Sequence, residues 1–562
     1  MPDIATIRPP REAAAIDPIT VAVISSALST IAEEMGKSII RTAYSTNIKE
    51  RQDCSTAIFD DKGETLALAE HIPIHLGSLL SIASYVIANC DLSDLQPGDA
   101  FVGNDAYTGG GSHLNDWVIL APVFYEAKLV AWVANLAHHS DFVDRGHAHI
   151  YQEGLRIPPI RLYRADVLQQ DIQTLILLNC QVPRERINDL AAQMAANRLG
   201  VRRYQGLCDK YGVDIVAAAA HEALDSTERR TRAGLALIPD GSYSFERPFD
   251  SNLVDDLLDL KVVIDVRGDE IFFNFPGAPP QMRGPVNMVR TALLATVYFA
   301  VKAIIDPDIP VNGGFYRPIH ASAPEHSVLN ASAPAAVYSR TDFASRLVDM
   351  IFAALAPVVP DRVAAGSTGG TLLTTSGIHP RTGRFYVYNE MHGGGMGARS
   401  SKDGLDGVQV NTTNSANLPI EALEIEHPIM IDSYELVRDS GGPGQYRGGM
   451  TIRRQARIIG HDATISAGGT SSVIPPFGLF GGHPGSLSRV ELAEGAPPLF
   501  KRAGRLEANQ WVAMIAAGGG GYGDPRHRER ALVLRDLREQ RISKATAIEI
   551  YGVDADEIPE GQ

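Results

Sequence analysis

Residues 103–141, GNDAYTGGGSHLNDWVILAPVFYEAKLVAWVANLAHHSD, decide how the rest of the chain is read. The stretch opens with a glycine-loosened loop that holds Asn104, Asp105, His113 and Asp116. Two runs rich in Val, Leu, Trp and Phe follow, residues 117–124 and 129–136, separated by the polar step Glu126-Ala127-Lys128. Their length and composition predict two paired strands. The second run ends in His138, His139 and Asp141. If the strands form a hairpin, its far end returns beside the start of the first, and His138 lies next to the His113–Asp116 loop. Two imidazoles and a carboxylate meeting in this way would form a divalent-metal site with positions open to water. The plainer reading, a loop histidine, a turn aspartate and a strand-end histidine, is not excluded by spacing.

Upstream, KERQDCS (49–55) places four charges in five residues just before the apolar strand expected at 57–59. Such a cluster is either a solvated loop or a source of a carboxylate (Asp53 or Glu50) and a cation (Arg51) for a pocket. Periodicity does not choose between them.

The chain has 562 residues, enough for two to four domains and a large core. Its net charge of −15 is spread along the chain with no basic stripe, which argues against a nucleic-acid or anionic-membrane surface. Four scattered cysteines (Cys54, Cys90, Cys180, Cys208) form no CxxC pair, so a disulfide framework or zinc knot is not expected and a reducing compartment fits. The N-terminal MPDIATIRPPREAAAIDP has no apolar h-region, and no apolar run approaches the ~20 residues of a membrane span. A cytoplasmic protein is expected.

In order, Asp17-Pro18 begins a long amphipathic helix through about residue 42. Gly36-Lys37-Ser38 within it lacks the earlier glycine of a phosphate loop and falls mid-helix, so that motif is rejected. Residues 55–59 and 65–69 flank a DDKG turn. His71 and His75 are four apart, but Pro73 argues against a shared helix face; they precede a helix at 76–87. His147, His149, Tyr151, Glu153 and Arg156 lie in a loop of the kind that forms pocket walls. Helices are expected at 165–178, at 184–198 and through an alanine-rich run to Arg232. Strands are read at 242–245, 260–265 and 271–275, and helices at 291–305 and 342–355. A polar glycine loop at 311–317 between those two helices would face a ligand.

From about 363 to 525 glycine dominates, with strands at 384–388, 487–492 and 511–515, and tight turns are its expected use. NTTNSAN (411–417), followed by Glu421, Glu424 and Glu426, reads as a turn or as a pocket wall. The tail at 529–553 reads as two amphipathic helices. The fold class is therefore α+β, a mixed helical and β-rich multi-layer architecture with a glycine-rich β region in its C-terminal half. The expected divisions are 1–240, an α+β domain with the metal site; 241–526, a β-rich region; and 527–562, a helical tail.

NIKERQDCS (47–55), HIPIHLGS (71–78), GNDAY (103–107) with HLND (113–116), AHHSD (137–141), RDSGGPG (438–444) and GGGGYGDP (518–525) together resemble the hydantoinase B/oxoprolinase family. The resemblance implies an ATP-dependent amidohydrolase subunit acting on a cyclic amide, imide or ureide such as a hydantoin, 5-oxoproline or a lactam. It also implies a hetero-oligomer whose partner, a hydantoinase A-type subunit, holds ATP and magnesium and phosphorylates the substrate. By the same resemblance Asp53, His113, Asp116 and His138 would hold a divalent metal (zinc, manganese or iron). His139 or Asp141 would then serve as general base or orient His138, and Arg51, beside Glu50, would stabilise developing charge. The three-glycine TGGGSH lead-in is longer than the family's usual loop. The alternative from the same resemblance is a subunit of an ATP-dependent ketone carboxylase. A noncatalytic supporting subunit and a Cys54 nucleophile are the readings from other classes.

Overall fold

The computed structural model describes residues 16–69, 71–141 and 147–558; residues 1–15 of the N-terminal stretch read above lie outside it. Asp17 caps α1 (Pro18–Thr42) by accepting from the Thr20 N–H, as the Asp-Pro pair predicts. By length and composition α1 alone among the described residues could cross a membrane, but Ile24, Leu28, Ile31, Met35 and Ile39 are buried in the protein core. The short α2 (Thr46–Lys49) leads to the hairpin β1 (Cys54–Asp60) and β2 (Thr65–Ala69), then to α3 (His75–Asn89) and β3 (Ala100–Gly103). The long hairpin is β4 (Asp116–Tyr125) and β5 (Lys128–His138), and its register pairs Asp116 with His138. Its turn residues Glu126 and Ala127 both have positive φ, the geometry that matches strand twist in a two-residue turn.

Next come α4 (Ile150–Glu153), β6 (Ile160–Arg164), β7 (Val167–Leu168), α5 (Gln170–Asn179), α6 (Pro183–Tyr211) and α7 (Val213–Leu235). The helix expected from 165 starts later because Ala165 and Asp166 take positive φ and turn β6 back into β7. These strands form a seven-stranded sheet in the order β2-β1-β5-β4-β3-β6-β7. Helix α3 covers one face and α6 the other. Both faces are therefore dry, and β4 and β5 read as continuous apolar runs rather than alternating ones. Across the α6 face a ladder of buried amides sets the packing. Gln193 Nε2 donates to the Trp117 carbonyl at 2.8 Å, Asn135 Nδ2 to Asn197 Oδ1 at 2.7 Å, and Asn197 Nδ2 to the Ile119 carbonyl at 2.9 Å.

A second sheet, in the order β11-β10-β9-β8, is built from β8 (Gly241–Phe249), β9 (Leu258–Arg267), β10 (Glu270–Asn274) and β11 (Ile319–Ser322). It packs with α8 (Arg290–Ile305), the short α9 (Gly313–Tyr316) and α10 (Thr341–Leu355). The loop expected at 311–317 is thus partly helical, capped by Asn312. One buried core draws residues from Ile24 through Ala364, so both sides of position 240 share it.

The C-terminal half holds two four-stranded sheets around a second core that runs from Leu373 to Met514. The first contains β12 (Thr371–Ile378) and β13 (Phe385–Met391), and α11 (Ile420–Glu426) follows it in the chain. The remaining strands are β14 (Ile429–Leu436), β15 (Ile452–Ile458), β16 (Ala463–Gly469), β17 (Arg489–Leu492), β18 (Ala503–Leu506) and β19 (Trp511–Ile515). Helices α12 (Arg530–Arg538) and α13 (Lys544–Glu549) close the chain over a small core of their own.

The glycines between these strands do something other than turn. At Gly518 an added Cβ would lie 1.7 Å from the Ser440 carbonyl oxygen, and at Gly448 1.9 Å from that of Gly519. Loops 440–449 and 517–523 are hydrogen-bonded backbone to backbone, Gly442 N–H to Gly519 O at 2.8 Å among them, at separations that exclude side chains. Close approach replaces the expected tight turns at these positions.

Candidate metal centre

Three adjacent strands deliver the central residues in one row. Cys54 pairs with Ala137 and Asp116 with His138, and the His138 N–H donates to the Asp53 carbonyl at 3.0 Å. Asp53, His138 and Asp116 therefore line one end of β1, β5 and β4. The TGGGSH loop folds back to add His113, whose Nε2 is 3.1 Å from Asp116 Oδ1. Gly111 makes that fold possible, because a Cβ there would lie 2.4 Å from the Asp116 carbonyl. One ligand atom each from His113, Asp116 and His138 falls within 4.8 Å of the others. Asp53 is joined to this trio through His75, whose Nε2 is 3.3 Å from Asp53 Oδ1 and 3.8 Å from Asp116 Oδ1.

Each of these groups has a dedicated support. Asp116 Oδ2 accepts from Arg340 Nη2 at 2.9 Å and from Ser112 Oγ at 3.0 Å, and Arg340 Nε donates to Ser112 Oγ at 2.6 Å. Asn47 Nδ2 donates to the His138 carbonyl at 2.7 Å and stands 3.2 Å from His138 Nδ1. Arg51 donates to Asn47 Oδ1 and to the Asn389 carbonyl, which ties the strand row to β13. The Tyr338 ring lies between His113 and His147, with centroids 5.9 and 4.8 Å away.

The electrostatics suit a cation. Burial by itself would raise the Asp53 carboxyl, but His138, the hydrogen bond from His75 and the Arg51 charge hold it below the usual carboxylate range. Asp116 is likewise drawn well down against its burial, by His113 and Arg340. Burial pushes His138 down to about 3, and burial with the Arg340 charge lowers His113. Neutral imidazoles beside ionised carboxylates are the protonation states a divalent metal requires of its ligands. His113 Nδ1 is buried without a partner. The residues present thus fit a divalent cation.

Two expectations need correction. His139 does not face the cluster. Strand alternation turns it to the α6 side, where it stacks on Trp117 at 4.7 Å and its Nε2 meets Gln193 Oε1 at 3.0 Å. Asp141 accepts from the Gln181 N–H at 2.8 Å and lies 3.8 Å from Arg186 Nε. Neither is placed to act as a base at the centre or to orient His138, whose partner is Asn47. Arg51 works through Asn47 and backbone carbonyls, and Glu50 sits half-buried at the end of α2.

The segment 411–417 is a joint rather than an open wall. Asn411 Nδ2 donates to the Ser345 carbonyl at 2.9 Å, Asn414 Nδ2 to that of His71 at 3.0 Å, and the Ala416 N–H to that of Arg51 at 3.4 Å. In the loop after 147, Glu153 is fully buried and accepts from the Val337 and Tyr338 N–H groups. Cys54 does have a histidine beside it, His71 Nδ1 at 3.7 Å, but burial and the Asp53 charge push its thiol far up, away from a thiolate.

The chain is similar to known proteins along nearly its whole length. The hydantoinase B/oxoprolinase family matches residues 17–525. The chain belongs to that family. The B subunit of a putative D-/L-hydantoinase from Pseudomonas sp. (strain NS671) is 30% identical over 97% of this chain and 96% of its own. The crystal structure of the ATP-dependent caprolactamase from Pseudomonas jessenii superposes with a TM-score of 0.86 at 30% identity, over 97% of this chain and 98% of that one. A nucleotide-free acetone carboxylase structure gives a TM-score of 0.85 at 19% identity, over 96% of this chain and 80% of that one, a likeness of fold. Relatives of the chain are named as a hydantoinase, a caprolactamase and a 5-oxoprolinase, and the first two of those names are of subunits.

Proposed function

We propose that the chain is the B-type subunit of an ATP-dependent amidohydrolase, opening a cyclic amide, imide or ureide that a partner subunit has activated by phosphorylation. The observation that carries this reading is the convergence of His113, Asp116 and His138, with Asp53 one imidazole away, in a largely buried cluster at the ends of three strands. Resonance makes an unstrained lactam a poor electrophile, and phosphorylation of its carbonyl oxygen would supply a leaving group. A divalent cation held by these residues would bring the pKa of a bound water toward ~7 and make hydroxide available at neutral pH.

The remaining work falls to the chain's own side chains. Arg340 and Ser112 fix one oxygen of Asp116, leaving the other toward His113. Asn47, itself held by Arg51, fixes His138. Tyr338 and His147 wall the space beside His113. Asp53, His113 and Asp116 are buried and His138 is half-buried, so most of the cluster is withdrawn from bulk water.

ATP chemistry is assigned to the partner, an A-type ATPase, because Gly36-Lys37-Ser38 lies inside α1 and not in a phosphate-cradling loop. The names of the relatives, the B subunit of a D-/L-hydantoinase and an ATP-dependent caprolactamase, support the same division. Co-purified with its partner, the complex should open a hydantoin, 5-oxoproline or a lactam with one ATP consumed per ring. Bicarbonate-dependent consumption of a ketone in place of ring opening would overturn the proposal in favour of a carboxylase.

A further inference from the structure

His75 is the one imidazole in the cluster that the metal assignment leaves without a role. Its side chain is 2% exposed and stands at the first position of α3. Nδ1 is 3.2 Å from Ser55 Oγ, while Nε2 faces two carboxylate oxygens, Asp53 Oδ1 at 3.3 Å and Asp116 Oδ1 at 3.8 Å. Ionised carboxylates only accept, so Nε2 must carry the hydrogen. In a neutral ring Nδ1 is then the acceptor, and the Ser55 hydroxyl donates to it.

The backbone fixes this arrangement. Alternation along β1 sends Asp53 and Ser55 to the side of His75 and Cys54 to the side of His71. The start of α3 is pinned against α8, since a Cβ on Gly77 would lie 2.3 Å from the Thr291 carbonyl oxygen. One turn on, Ser78 Oγ lies 3.5 Å from Asp116 Oδ2, so a single helix start addresses both oxygens of that carboxylate.

We propose that His75 is the positioning residue of this centre. Its Nε2–H holds the Asp53 carboxylate in register with Asp116, and Ser55 sets which nitrogen bears that hydrogen. Asp53 and Asp116 both face this one N–H, at 3.3 and 3.8 Å, and a donor wedged between two buried carboxylates offsets their repulsion and holds both toward one point. Partners of this kind beyond the ligands change metal affinity by about 10–100-fold when removed. The inference rests on the metal reading of the site.

The test is a Co2+ titration of the purified chain, by visible absorption and chelator competition, on wild type, His75→Ala, His75→Gln, Ser55→Ala and His138→Ala, each checked for folding by circular dichroism. His75→Ala should bind about 10–100-fold more weakly with a shifted absorption band. His75→Gln, whose amide N–H replaces the Nε2 donor, should recover part of both. Ser55→Ala should weaken binding in the same direction and by less. Wild-type affinity and spectrum in His75→Ala, or no recovery in His75→Gln, would overturn the proposal while the loss in His138→Ala still supports the metal reading. If wild type itself takes no Co2+, both fall.

Discussion

Arg340 is where the support of the site can be measured as stability. Its guanidinium is buried, donates to Ser112 Oγ and Asp116 Oδ2, and lies 224 residues from Asp116 in sequence. Arg340→Met keeps the bulk of the side chain and removes its charge, leaving Asp116 buried with one cationic neighbour fewer. Breaking a buried pair from one side costs about 3–5 kcal/mol, most of it the uncompensated charge. In the Asp116→Asn background no such charge remains, so the same Arg340→Met change should cost about 2–3 kcal/mol less. The assay is urea unfolding of chelator-treated protein followed by tryptophan fluorescence. Two of the three tryptophans, Trp117 and Trp132, lie in the hairpin that carries Asp116, so the signal reports the right region. Additive effects in the double variant, within about 0.5 kcal/mol, would refute the claim that Arg340 exists to hold Asp116 ionised.

Three further outcomes follow from the same geometry. His139→Leu should leave metal stoichiometry unchanged while costing about 1–3 kcal/mol, because Gln193 Oε1 loses its partner in a buried ladder; loss of metal would reinstate His139 at the centre. His427, packed against Tyr386 and Tyr388, is pushed down to about 4 by burial and the neighbouring His379. The unfolded chain then binds the extra proton first, so stability is present above about pH 6.5 and is lost as pH falls toward 4, by about 3 kcal/mol in all. His427→Phe should flatten that slope in pH-dependent melts, and an unchanged slope would contradict the assignment. The chain alone should hydrolyse no ATP above background, and robust turnover without a partner would remove the proposed division of labour.

Much of this was legible in the residues alone. The apolar runs at 117–124 and 129–136 fixed the central hairpin to within a residue or two, because both faces of the sheet are dry and nothing interrupts the pattern. Asp17-Pro18 marked α1, and residues 511–515 marked the last strand. The glycine-rich half was read less well. Strands such as β15, with the sequence IRRQARI, hold three arginines and a glutamine in seven residues, and Arg454 is buried beside Glu390 in a way that no polarity pattern announces.

At the site, family resemblance pointed to Asp53, His113, Asp116 and His138, of which the structure brings the last three within 4.8 Å of one another, while the helpers read from sequence proximity lie elsewhere. His139 and Asp141 are neighbours of His138 in sequence only, since the chain's period of two points His139 at α6. The true supports were invisible for different reasons. Arg340 carries no local signal, and Pro73 argued against the His71–His75 pair, correctly, for the two rings face opposite sides of β1. What that argument missed is that one of the pair was enough.

The central claim is that residues from separate segments surround a single divalent ion. Equilibrium dialysis of the purified chain against Zn2+, Mn2+ and Fe2+, followed by elemental analysis of wild type, Asp53→Asn, His113→Ala, Asp116→Asn and His138→Ala, tests it directly. One equivalent in wild type, and far less in each folded variant, is the predicted result. Full occupancy retained in His113→Ala and His138→Ala would place the metal elsewhere and contradict the account.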